Sequence, residues 1–211
     1  MALSKIDVSK MITGVTPLTN GGTGGTSIPA TNLASGVTGT LPVANGGTAL
    51  TSGFANGISA AQVWRLTSSF TGNAQPIASN LEAVDTNSPG AIGSAMTESS
   101  GIFTFPSTGI WLIQSTGEFF YNGSSRYNQL ITEVTTNNSS YSEASKNSAG
   151  ITQAESSHTY NSCMTQVVLD VTNTTNVKVR FTTSVSVAGV STAGSSDYNR
   201  TSFSFLRIGD T

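Results

Sequence analysis

The sequence predicts an all-β chain in which a slender stem of repeats leads into a two-sheet sandwich or jelly roll. Three observations carry that prediction. Proline-anchored repeats fill the first sixty of 211 residues, short apolar or alternating runs fill the rest, and no stretch sustains the 3.6-residue apolar period of a helix. Charged residues make up 9% of the chain against about 25% in an average soluble protein, so Ser, Thr, Asn and Gly must form a polar, nearly uncharged surface.

Along the chain, Met1 to Thr13 comes first and lacks the apolar core of a signal peptide. No apolar run reaches the eighteen or so residues needed to cross a bilayer as a helix, so membrane insertion is not expected. The repeat segment, residues 14–61, follows. Aligned on proline it contains Pro17-Leu-Thr-Asn20, Pro29-Ala-Thr-Asn32 and Pro42-Val-Ala-Asn45, and two of these units continue into Gly-Gly. Collagen would need Gly at every third position and a coiled coil would need heptads; neither pattern is present. Ten large apolar residues, Val15 to Ile58, are too few to offset the ordering entropy of the segment in a single copy. The expected arrangement is an intertwined stem in which several identical chains share one axis.

From Gln62 to Thr211 the texture changes to strands. The clearest are Ile110–Ile113, Gln129–Val134, Gln166–Val171, Val177–Phe181 and Ser202–Ile208. In Val177-Lys178-Val179-Arg180-Phe181 the odd positions should face a core and the even ones water. Asn122-Gly123, between Tyr121 and Tyr127, gives a hairpin signal. The single cysteine, Cys163, excludes an intrachain disulfide and sits in an apolar run, where it should act as a small buried hydrophobe.

The motifs point away from catalysis. His158 is the only histidine, the carboxylates show no clustered spacing, and there is no G-x-S-x-G elbow, so no catalytic residue, metal site or cofactor is assigned. Asn20–Thr26, NGGTGGT, lacks the Lys-Ser/Thr of a phosphate loop. Nine Lys plus Arg against eleven Asp plus Glu, without a basic cluster, leave no footprint for nucleic acid. Recognition is better supported: Thr135 to His158 and Ala188 to Arg200 are long for hairpin connections, and long loops on a rigid sandwich commonly carry binding. The receptor-binding candidates in or beside the loops are Tyr121, Arg126, Tyr127, Tyr141, His158 and Tyr198, with Tyr160 and Arg200 nearby. Their flat rings can stack on sugar faces while neighbouring amides and hydroxyls meet sugar hydroxyls. For any one of these tyrosines the competing role is packing at a sheet edge or a trimer interface.

Two stretches carry resemblances. Thr38–Thr48, TGTLPVANGGT, resembles the LPVANGGTG-type repeats of bacteriophage tail fibres, and Val15–Thr26 does so more loosely. Ser100–Gln114, SGIFTFPSTGIWLIQ, resembles a signature of the complement-component-one-q and tumour-necrosis-factor superfamily, and Thr201–Gly209 its terminal strand. Phe103, Phe105, Pro106, Gly109 and Trp111 carry the first of these. Together the resemblances imply a homotrimeric phage tail fibre, made in the bacterial cytoplasm and carried on the virion tail. They imply that residues 1–13 dock to tail or baseplate proteins, that residues 14–61 form the shaft, and that residues 62–211 form a ten-stranded jelly-roll head. In that head the first and last strands lie close together. The head would adhere to a host surface glycan or outer-membrane component. Two alternatives share the architecture: a collar or decoration fibre without receptor activity, and a polysaccharide-degrading tail spike.

Overall fold

The structure, a computed structural model, describes residues 58–86 and 88–211. The expected attachment segment and almost all of the shaft therefore lie outside the described residues. Within them the chain is all-β, with thirteen strands and no helix. In chain order these are β1 (Ala60–Leu66), β2 (Phe70–Thr71), β3 (Leu81–Ala83), β4 (Ala91–Ile92), β5 (Thr97–Ser99), β6 (Ile102–Thr104) and β7 (Gly109–Tyr121). They continue with β8 (Ser125–Thr135), β9 (Ser142–Ile151), β10 (Thr159–Val171), β11 (Lys178–Val185), β12 (Ser191–Thr192) and β13 (Ser202–Gly209). The first strand thus opens two residues before the sequence-expected start of the head at Gln62.

Two antiparallel sheets form a sandwich. The first runs β3-β1-β13-β7-β10, with β4 also pairing β1 and the short β2 and β12 extending from β7; the second runs β5-β6-β11-β8-β9. Five principal strands in each sheet give the ten-stranded frame of a jelly roll. The first and last long strands are neighbours, with Gln62 opposite Phe205 and Trp64 opposite Phe203.

Alternation builds the core. Trp111 and Ile113 of β7, Phe203 and Phe205 of β13, and Val179 and Phe181 of β11 all point inward and are buried. Phe181 stacks on Phe203 across the two sheets at 4.1 Å between ring centroids, and Phe103 meets Trp64, Phe181 and Phe205 within 5.5 Å. The Pro106-x-x-Gly109 turn needs its glycine: φ is +137° there, and a Cβ would lie 2.5 Å from Arg207 Nε. One polar island sits in this interior. Ser115, Thr132 and Thr165 are buried and close a triangle of hydroxyls, with Thr132 and Thr165 2.6 Å apart, so each finds a partner away from water. Cys163 is buried as expected, and burial pushes its thiol up.

Two local expectations change. Asn122-Gly123 does not close a hairpin. Strand β7 already pairs β10 along one edge and β13 and β12 along the other, so the chain has no free edge to return to and crosses to the second sheet, where β8 pairs β9 and β11. The segment Thr135 to His158 is not one long loop either; it contains the ten-residue strand β9. β9 reads SEASKNSAGI and is mostly exposed, so it lacks the apolar alternation that marks a strand in sequence; pairing to β8 holds it.

Candidate functional site

The sequence-predicted binding residues fall in separate places. Tyr121 ends β7 and is half-buried, wedged against Gly123 and Gly189: a Cβ on either glycine would come within 3 Å of its ring. Arg126 is exposed on β8 and lies 5.6 Å over the Tyr127 ring, which is half-buried. Tyr141 precedes β9 beneath Arg180, whose guanidinium carbon is 4.1 Å from the ring centroid. The Tyr141 hydroxyl is buried without a hydrogen-bond partner, and burial raises its pKa. His158 is exposed just before β10 and meets the Phe120 ring edge-on at 5.2 Å. Tyr160 lies beside the same Phe120 at 5.4 Å and under Arg200, which Glu118 anchors with two hydrogen bonds of 2.6 and 3.2 Å. The structure therefore groups His158 and Tyr160 at one end of β7, and sets Tyr141 apart as a packed side chain.

Tyr198 stands apart from them in setting. It is 60% exposed and lines a cleft of about 390 Å³ with Asp197, Asn199, Thr86, Pro89 and Arg65. Arg65 lies on the outward-facing side of β1 yet is 2% exposed, because β3 and the residues after it cover it. Its Nε donates to Glu82 at 2.6 Å and its Nη2 donates to Asp85 at 3.2 Å. Two carboxylates neutralise the guanidinium and fix its plane, so it serves as a rigid donor in the cleft floor and not as an anion trap. An exposed ring, flanking Asp and Asn side chains and a fixed donor are groups that can stack on and hydrogen-bond a polyhydroxylated ligand. Sequence reading passed over Arg65, Glu82 and Asp85. Opposite charges on neighbouring strands, Arg65 in VWRL and Glu82 in LEA, were the only signal, and the β1–β3 register was needed to join them.

A second feature occupies the outer face of the first sheet. Val168, Leu112, Leu206, Ala61 and Ile92 are successive cross-strand partners on β10, β7, β13, β1 and β4. They form an apolar ladder across five of the sheet's strands, and its end members Val168 and Ile92 are 61% and 45% exposed. Met164 and Tyr160 continue the exposed apolar edge along β10. Such a contiguous band is unusual on an isolated soluble domain. Among the described residues no group of three or more His, Cys, Asp or Glu side chains is placed to hold a metal ion.

The sandwich has a jelly-roll fold that solved structures of low sequence identity share. It is similar to murine APRIL, with a TM-score of 0.51 and 11% identity over 70% of this chain and 98% of that one. It is likewise similar to Eiger TNF from S. frugiperda, with a TM-score of 0.51 and 12% identity over 72% of this chain and 93% of that one. No family model and no curated protein matches the sequence. At these identities the likeness is one of fold.

Proposed function

We propose that the protein is a homotrimeric bacteriophage tail fibre that attaches the virion to its host by multivalent, non-enzymatic adhesion through the jelly-roll head. The apolar ladder carries this reading. An apolar row running through five strands of one sheet, half-buried in the middle and exposed at its ends, suits burial against further copies of the same chain, and Ala61, one of its members, is the second residue of β1. Strand β1 thus begins beside the row that copies would share. The resemblance of Thr38–Thr48 to tail-fibre shaft repeats supports the same threefold arrangement, as does the tumour-necrosis-factor-like fold. Three heads on one shaft raise the avidity of weak contacts without any new chemistry. The Tyr198 cleft is the contact residue set we assign to a neutral host glycan, and the N-terminal segment is assigned to the tail.

The test is immunolabelling and blocking. Antibody raised against the full chain should decorate the tail of virions and reduce adsorption to host cells. Absence of labelling on particles, together with no binding of the purified chain to cells, would remove this reading.

A further inference from the structure

The outer face of the second sheet carries a groove of about 320 Å³ that contains none of the aromatic candidates. Two cross-strand rows make its floor. Thr182, Ile131 and Lys146 align across β11, β8 and β9, and Ser184 and Gln129 align one step along. Asn73 and Gln75, between β2 and β3, form one wall, and Glu143, beside the Lys146 end of the floor, forms the other.

The lining is pre-set. Asn73 Oδ1 accepts from the Val185 N–H at 2.8 Å, which leaves Nδ2 to donate. Gln129 Nε2 donates to Ser148 Oγ at 3.1 Å, which leaves Oε1 to accept. Thr182 Oγ1 donates to Glu133 at 2.6 Å and keeps lone pairs for a donor. Lys146 and Glu143 pair at 2.5 Å, so this wall carries no net charge. Ile131 is the groove's one apolar lining residue, which disfavours an apolar ligand. Lys146 is paired with Glu143 and Arg180 with the nearby Glu133, so the groove offers no surplus positive charge to a phosphate or polyanion. What remains is a neutral ligand rich in hydroxyl groups.

We propose that this groove is a saccharide site that takes a neutral hexose unit through Asn73, Gln129, Thr182, Ser184 and Lys146. It lies on the sheet opposite the apolar ladder, so association through the ladder leaves it open. That accessibility rests on the trimer reading; the binding chemistry does not.

The experiment is saturation-transfer NMR on the full chain with the methyl glycosides of glucose, galactose and mannose and with N-acetylglucosamine. Transfer to at least one of them is expected, unchanged by added salt. It should fall about tenfold in Gln129→Ala and in Lys146→Ala, the loss that removal of one or two hydrogen bonds gives. The transfer is read in a Tyr198→Ala background, so that the cleft around Tyr198 does not contribute. Lys146 is 40% exposed, so its truncation keeps the test valid if Gln129→Ala fails to fold. No transfer from any of the four sugars would overturn the proposal. So would transfer that survives in folded Lys146→Ala in that background, or that vanishes on Tyr198→Ala alone. Cell adsorption by the same protein separates the two readings: adsorption without sugar transfer removes the groove alone, and sugar transfer without adsorption removes the fibre alone.

Discussion

Asn147 Nδ2 donates to the carbonyl of Met164 at 2.9 Å and so ties the edge strand of the second sheet to the edge strand of the first. Asn161 returns the bond in the other direction, donating from Nδ2 to the carbonyl of Gly150. Each asparagine also accepts from the next backbone N–H, at Ser148 and Ser162. An open strand edge is a template for unwanted pairing, and here side-chain amides cover carbonyls that no third strand reaches. The sandwich is thereby stitched shut along β9 and β10.

The stitch predicts a modest and additive cost. Asn147→Ala and Asn161→Ala should each lower unfolding free energy by about 1 kcal/mol, the net worth of one hydrogen bond near the surface. Urea melts of the full chain check this. The double variant should also aggregate faster on storage, because both edges open together; a double variant as stable as wild type would show that the bonds are ornamental.

Glu133 predicts an acid-sensitive stability. Burial pushes its carboxyl up, but hydrogen bonds from Arg180 and Thr182, the Arg180 charge and a hydrogen bond from Gln75 together hold it below its ordinary value of 4.5. A carboxyl depressed in the folded state gives stability that is present above its unfolded pKa and is lost as pH falls through the folded one. Glu133→Gln should therefore cost about 2 kcal/mol at neutral pH, the scale of a hydrogen bond to a charged group. The gap between variant and wild type should narrow as pH drops below 4.5. Denaturant midpoints across an acid series measure it, and a gap independent of pH would contradict the assignment.

Much of the fold was legible where apolar residues alternate. Val177, Val179 and Phe181 are buried with Lys178 and Arg180 turned outward, as the pattern required, and the Phe103–Trp111 signature lies in the core. Strand β9 was illegible because SEASKNSAGI buries almost nothing; only its partner β8 makes it a strand. The Asn122-Gly123 signal misled because a hairpin needs a free edge on β7, and which edges are free depends on strands distant in sequence. The cleft shows the same limit. Tyr198 was visible as a loop aromatic, but Arg65 joins it only through strand pairing and its two carboxylates.

The two tyrosines Tyr141 and Tyr198 should behave oppositely. Tyr141→Phe removes a buried hydroxyl that has no partner, so stability should stay level or rise by about 1 kcal/mol. Tyr141→Ala strips the ring from beneath Arg180 and should lower the melting temperature by several degrees. Tyr198→Ala removes an exposed ring and should leave the melt within about 0.5 kcal/mol of wild type while weakening host-cell binding. Adsorption measured per folded protein discriminates the roles. Loss of stability in Tyr198→Ala with adsorption intact would assign that residue to packing.

The apolar ladder makes the sharpest prediction about assembly. Val168 is 61% exposed on β10, so Val168→Glu adds a charge that a lone head would solvate at little cost. In a shared interface the same charge would be buried without a partner, a penalty of several kcal/mol repeated in every copy. Light scattering of the full chain should therefore give three chain masses for wild type and less for Val168→Glu, while the circular dichroism of the head stays that of a β sandwich. A variant at Ser148, on the outer face of the other sheet, should remain trimeric and serves as the control. Wild-type protein that is monomeric at micromolar concentration would leave the ladder without an occupant and would end the fibre reading with it.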